Sequence, residues 1–569
     1  MAVKRILLAT FKHNALSAAR KRFAKEEDGA VLVFSLVLFV LMIMIGGLAV
    51  DLMRYETTRT TIQNTLDRST LASANLSQTL DPETVVRDYF AKAGMTTYLK
   101  TVTVTNGLNF RNVNADASAD TDPIFLHMIG INEFEAAAMS EAEQRINNVE
   151  IALVLDVSGS MAGTKITNLK TAAKEFVATV LETDGDDRIS IGIVPYNGQV
   201  NLGPLMAGKF NVTLPTGVND TACVDLPPEV YTTTDMSRSL ALPTTAYADT
   251  FSTTSQSTSF VSISSSGTPA AGNRWCPPSK VNVVRPPIND VGLLQGYIHN
   301  MTAVGATSTN AGLKWGLTLL DPATQPIFNE FANAGTIPLK FGVRPFEYTD
   351  KEAMKVIVLM TDGDHFAEER VNTSYKDGDS PLYKASDGYY SIRHTAGRPT
   401  AAGTKEYFVP HLCTSNGCKN GSNTAEAWSA TKYSNGVQQS WKEVWTSMRV
   451  TYVAWQFYER ALGKDSNRGT TYNTWLSNFR TKTQTTDMDA QMQAICTLAK
   501  SKQNVVIYGI AFDVLATSNA ATQIKKCTSG YDPDHPNELN SYYFASTPSN
   551  IKTAFRAIAT NITQLRLTQ

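Results

Sequence analysis

Cysteine is missing from the first 222 positions of this 569-residue chain, and all six cysteines fall from Cys223 onward. Charge is missing from residues 29–50, GAVLVFSLVLFVLMIMIGGLAV, the one long apolar run. Basic patches with interleaved aromatics are also missing, and the net charge is -1, so no nucleic-acid partner is expected. No G-x-S-x-G elbow, H-E-x-x-H helix, Walker loop or dinucleotide-binding glycine fingerprint occurs. His365 stands in HFAEER, off the zinc-protease pattern; three residues past Asp362 it is within reach of that strand's end, but a loop histidine facing solvent is expected. With no base placed beside a reacting group, the sequence predicts a protein that is not an enzyme. No internal repeat of about 20–50 residues is found, which excludes a solenoid.

The apolar run is long enough, at about 33 Å as a helix, to cross a bilayer. It exceeds the apolar core of a secretory signal, and no A-x-A cleavage site follows, so a retained anchor is expected rather than a cleaved leader. Lys4, Arg5, Lys12, Arg20, Lys21, Arg22 and Lys25 precede it, while only Arg54 and Arg59 follow closely. That asymmetry predicts a single span with a cytoplasmic N-terminus and an external bulk. Residues 1–28 then form a basic cytoplasmic segment, either an amphipathic helix on the inner leaflet or a disordered tail. The cysteines agree, since all would lie outside, where disulfides persist. Proximity suggests Cys223–Cys276, Cys413–Cys418 and Cys496–Cys527. A metal knuckle from His411, Cys413 and Cys418 is the alternative for the middle pair, but it lacks a fourth ligand.

Past the span, Leu48, Leu52, Tyr55, Arg59, Ile62 and Leu66 continue a helical stripe through Ser69 and Ser73 to Leu76. Asp81-Pro82-Glu83 opens a second helix. TVTVT, NVNADASAD and EFEAAAMSE then alternate as short antiparallel strands. Residues 51–148 therefore read as a long helix leading into a small pilin-like α+β region.

Residues 149–569 read differently. Val149–Leu155, Arg188–Val194, Lys355–Met360, Asn504–Phe512 and Tyr542–Ala545 are expected strands. Helices are expected at Lys165–Val180, Met488–Lys500 and Asn550–Leu565. The alternation predicts an α/β fold with a doubly wound, mostly parallel sheet. Two insertions interrupt it, at about 199–287 and 364–484. Half of positions 231–270 are Ser or Thr. In the second insertion Val444, Trp445, Met448, Tyr452 and Trp455 recur at helical spacing on one helix near Ser440–Leu462, expected as core packing.

The first strand runs into D-x-S-x-S, offering Asp156, Ser158 and Ser160 at the carboxyl edge of the sheet, where ligands of open α/β sheets sit and where Asp156 is expected to stand outside the packed core. GATSTNAGLKWGL adds Thr307 before a helix, and KVIVLMTDGD ends a strand at Asp362. Carboxylates and hydroxyls without sulfur or imidazole suit a hard divalent ion, Mg²⁺ foremost, with Mn²⁺ or Ca²⁺ as alternatives. The same residue types also serve as turn and N-cap residues. The three pieces, in this order, resemble the metal-ion-dependent adhesion site of von Willebrand factor A domains. That resemblance implies a metal set of Asp156, Ser158, Ser160, Thr307 and Asp362, completed by an acidic residue of a protein partner.

DGAVLVFSLVLFVLMIMIGGLAVDLMRY, residues 28–55, resembles the TadE/TadG-like proteins of the Flp/Tad pilus assembly system. Prepilins of that system are cut after the glycine and carry Glu five residues on; here that place is Phe34, which argues against processing at Gly29 and against a polymerising pilin. TadG-like members join such an N-terminus to a von Willebrand A domain. The resemblance implies a bacterial inner-membrane pilus-assembly component that binds an envelope or assembly partner through its metal edge. An anchored adhesion or ligand-binding receptor, not tied to pilus assembly, is the other function considered.

Overall fold

The structure is a computed structural model. It describes residues 28–75, 78–106, 110–145, 148–182, 184, 187–213, 222–246, 248, 250, 276, 280–350, 352–412, 427–463, 468–536 and 541–563. The Cys413–Cys418 pair and the basic segment before the anchor lie outside these. Two compact units divide the chain, Met1–Arg145 and Ile146–Gln569.

In the first unit, helix α1 (Asp28–Ala74) runs unbroken from the apolar run onward. It is long and apolar enough to cross a membrane by length and composition, and its side chains from Val31 to Ile45 are exposed. Asp81 caps helix α2 (Pro82–Lys92), accepting a hydrogen bond from Thr84 N. Strands β1 (Leu99–Asn106), β2 (Phe110–Thr121) and β3 (Phe134–Arg145) form an antiparallel meander. Ile62 and Leu66 pack on Val113, Ala115, Ala117 and Ala119 of that sheet, whose small side chains let a helix come close. Ser69, Thr70 and Ser73, also buried, return their hydroxyls to carbonyls of α1.

The helical stripe is covered only at its lower end. Leu48 and Leu52 are exposed and Asp51 is buried instead. Asp51 accepts backbone hydrogen bonds from Ile124, Phe125 and Leu126 at 2.8–2.9 Å. A Cβ on Gly47, one turn earlier, would overlap the Phe125 ring. Asp51→Ala leaves three amides without their acceptor and is expected to free this loop. Hydrogen exchange at residues 124–126 should rise sharply, while Asp51→Asn, which keeps one acceptor oxygen, should lie between.

The second unit is a mixed α/β structure. Its central sheet contains β4 (Asn148–Asp156), β5 (Ile189–Tyr196), β6 (Arg285–Ile288), β7 (Ala353–Thr361), β8 (Val505–Phe512) and β9 (Tyr543–Ser546). Their order is β9-β8-β7-β4-β5-β6, parallel throughout except for β6, which runs antiparallel on β5 at one edge. Helix α3 (Thr164–Glu182) packs with the last helix, α8 (Ile551–Thr563), through Phe176 and Phe555. Helix α4 (Val291–His299) joins α3, whereas α5 (Thr309–Leu320) packs on β4 and β5 and against α6 (Thr485–Lys500). Gly312 and Gly316 make the α5 approach possible: a Cβ there would sit 2.5 Å from the Tyr196 ring and 2.4 Å from Val154. Helix α7 (Asn519–Cys527) is bonded to α6 through Cys496–Cys527, and Cys223–Cys276 is likewise a disulfide.

The second insertion leaves and rejoins the core through one stalk, because Glu368–Val371 pairs antiparallel with Arg480–Thr483. Beyond the stalk lies a five-stranded antiparallel sheet over an aromatic core that includes Trp441, Trp445 and Phe479. The aromatic stripe is core packing, but its helix is not continuous. It breaks at extended Met448, restarts at Val450 and is π-helical over Ala454–Glu459. The two insertions are bonded to each other: Lys376 pairs with buried Asp225 at 2.5 Å, and Arg370 donates to the Leu226 carbonyl at 2.7 Å.

Candidate functional site

Each piece of the site hangs on the carboxyl edge of the central sheet. Asp156 is the last residue of β4, Asp362 follows β7, and Thr307 precedes α5. Backbone bonds close the three loops on one another. Gly159 N donates to Gly305 O at 2.9 Å, Val304 N to Val157 O at 2.9 Å, and Phe366 N to Thr307 O at 2.9 Å. Segments some 150 and 200 residues apart in sequence thus meet at one edge.

The side chains form a chain of oxygens. Ser158 and Ser160 hydroxyls lie 2.9 Å apart, and Ser160 Oγ donates to Asp362 Oδ1 at 2.6 Å. Asp156 is fully buried rather than standing outside the packed core; Oδ1 accepts from Ser158 N at 2.8 Å and Oδ2 from Thr361 Oγ1 at 2.7 Å. Burial, then the negative charge of Asp362, push the Asp156 carboxyl up to about 6. Thr307 is buried, and its carbonyl, accepting from Phe366 N, ties its loop to this edge.

These residues fit a hard divalent cation. Two carboxylates that repel each other, flanked by the hydroxyls of Ser158 and Ser160 with Thr307 on the adjoining loop, are a donor set that a cation would relieve and that has no thiolate or imidazole for softer metals. His365, the near candidate, points elsewhere. It is 8% exposed rather than solvent-facing, with Nδ1 2.6 Å from Asp489 Oδ1 and Nε2 accepting from Asn310 N at 3.2 Å.

Three residues at this edge had not been expected from the sequence. Thr361 holds Asp156, as above. Lys165, in the first turn of α3, places Nζ 2.9 Å from Asp362 Oδ2 and 3.2 Å from Asp513 Oδ2. Burial opposes the Lys165 charge, but the two carboxylates outweigh it and hold its pKa above the usual lysine value. Asp513 follows β8, just as Asp362 follows β7, so a strand running into aspartate was the signal available for it.

Fold and site define an α/β unit with an oxygen-lined strand edge, carried behind an apolar N-terminal helix. Residues 29–76 match the family described as "Putative Flp pilus-assembly TadE/G-like". The chain therefore carries a TadE/G-like segment at its N-terminus. No curated protein matches the chain. Among solved structures it is similar to the von Willebrand factor domain of the type V pili tip protein Mfa5 from Porphyromonas gingivalis, at 14% identity over 74% of this chain and 96% of that one, TM-score 0.28. It is also similar to the adhesive tip pilin GBS104 from Group B Streptococcus agalactiae, at 11% identity over 73% and 100%, TM-score 0.30. A von Willebrand factor type A structure from Catenulispora acidiphila is 12% identical over 47% of this chain and 34% of that one, TM-score 0.16.

Proposed function

We propose that the chain is a membrane-anchored component of a pilus-assembly machine that binds a protein partner through a divalent cation. On this reading the second unit is a von Willebrand A domain, doubly wound about its mostly parallel sheet, and its role is binding, not catalysis. The observation that carries it is the meeting of Asp156, Ser158, Ser160, Thr307 and Asp362, from three distant segments, at the carboxyl edge of one sheet. When bound, Mg²⁺, or Mn²⁺ or Ca²⁺ in its place, would supply a positive centre with an open position for a partner's carboxylate. Asp156 and Asp362 would provide the charge, and the three hydroxyls neutral oxygens.

The TadE/G-like match supports the pilus-assembly context, and the Lys/Arg-rich N-terminus supports an inner-membrane span with the bulk outside. Two disulfides fit that oxidising side. An adhesion receptor would need only a linker after its anchor, whereas strands β1, β2 and β3 form a sheet packed on α1, a surface suited to assembly. Calorimetric titration of the detergent-solubilised full chain with Mn²⁺ tests the site. Saturable binding of one ion per chain is expected, and its absence would overturn the metal assignment.

A further inference from the structure

Resting on that metal reading, we propose that Lys165 is a built-in competitor for the cation and that Asp513 is its second seat, the pair together setting the affinity of the site. Lys165 Nζ contacts Asp362 Oδ2, on the very carboxylate that a cation at this edge would use. The other oxygen, Oδ1, already accepts from Ser160. A lysine ammonium and a divalent ion sharing one buried carboxylate repel each other, so the ammonium must yield ground when an ion binds.

The geometry provides where it yields to. Asp513 Oδ2 lies 3.2 Å from the same Nζ, so Lys165 can keep one carboxylate while releasing the other. The Asp362 side chain has no exposed surface, whereas those of Lys165 and Asp513 are 24% and 40% exposed, leaving room for the shift. Asp513 is itself held in place, its backbone N–H donating to Ser546 O at 2.6 Å. The carboxylates that end β4, β7 and β8 therefore have separate duties: Asp156 and Asp362 for the ion, and Asp513 for the lysine.

The test is Mn²⁺ calorimetry on the full chain in detergent at low ionic strength. Lys165→Met should tighten binding about tenfold, because the competing charge is gone. Asp513→Asn should weaken it about threefold to tenfold, because Lys165 then has only Asp362. Asn is chosen because residue 513 has φ 55°, a left-handed backbone that Asn tolerates. In the Lys165→Met background, Asp513→Asn should have no further effect. Circular dichroism checks folding. If Lys165→Met does not fold, Lys165→Gln, which keeps a neutral N–H donor for Asp362, replaces it with the same expectation. Unchanged or weaker binding on loss of the lysine charge overturns the proposal, as does an Asp513→Asn effect that survives that loss. Wild-type protein that binds no Mn²⁺ would overturn the metal reading along with it. Wild-type binding that is abolished by Asp156→Asn but not tightened by the lysine variants overturns this inference alone.

Discussion

Full-length protein carrying Asp156→Asn will bind Mn²⁺ at least about a hundredfold more weakly than wild type, with its fold intact. Asn keeps an acceptor for the Ser158 N–H and turns its amide toward the Thr361 hydroxyl, which can accept, so both local bonds survive. The lost carboxylate charge is what the ion would need. The same residue sets the pH dependence. Because the Asp156 carboxyl is pushed up to about 6 without a cation, protons compete for it there, and wild-type affinity should fall as pH drops through that value. The sign for ion-free stability is opposite to that of an ordinary paired carboxylate. A pKa above the unfolded value makes the buried charge a cost that is full above pH about 6 and is lost by about pH 4. Asp156→Asn should therefore stabilise the ion-free protein by ~1–3 kcal/mol at pH 7.5 and leave it little changed at pH 4. An Asn variant that binds Mn²⁺ like wild type would contradict the assignment.

The largest expected loss of stability comes from Lys355→Met, at the other end of the sheet from the site. Lys355 on β7 stands opposite Glu150 on β4, with Nζ 2.5 Å from Glu150 Oε2 and side chains 0% and 2% exposed. Glu150 also accepts from Phe346 N at 3.1 Å. Removing the lysine strands a carboxylate in the core, which costs about 3–5 kcal/mol. Adding Glu150→Leu removes the stranded charge and should restore much of that. All seven tryptophans lie beyond residue 222, so their fluorescence in urea reports the second unit alone. A loss below about 1 kcal/mol would show that the pair does not hold the two strands together.

The central strands were legible because parallel strands buried on both faces read as continuous apolar runs. The runs Val149–Leu155 and Lys355–Met360 begin and end within two residues of β4 and β7. The edge strand Arg285–Ile288 was not, since its two prolines mimic a loop, although proline is tolerated on an edge. The break at Met448 was hidden by an apolar stripe that persists across it. Leu48 and Leu52 share the helical stripe of Ile62 and Leu66 yet are exposed, because periodicity does not say where the covering sheet ends. At the site, Asp156 and Asp362 were found as the ends of apolar strands, and Asp513 fits the same rule. Lys165 sits in a polar first turn with no spacing to mark it. In the sequence His365 reads as a solvent-facing loop residue because its partner, Asp489, is 124 residues away. Cys223–Cys276 and Cys496–Cys527 followed from proximity together with the external compartment.

The most direct test of a cation-dependent partner contact is capture from crosslinked cell envelopes. Cells producing full-length wild type or Asp156→Asn are crosslinked in Mg²⁺ or in chelator, and the chain is recovered with whatever is attached. Capture of a pilus-assembly or envelope protein by wild type in Mg²⁺, lost in chelator and lost with Asp156→Asn, is the predicted result. The same protein captured equally under all four conditions would contradict it.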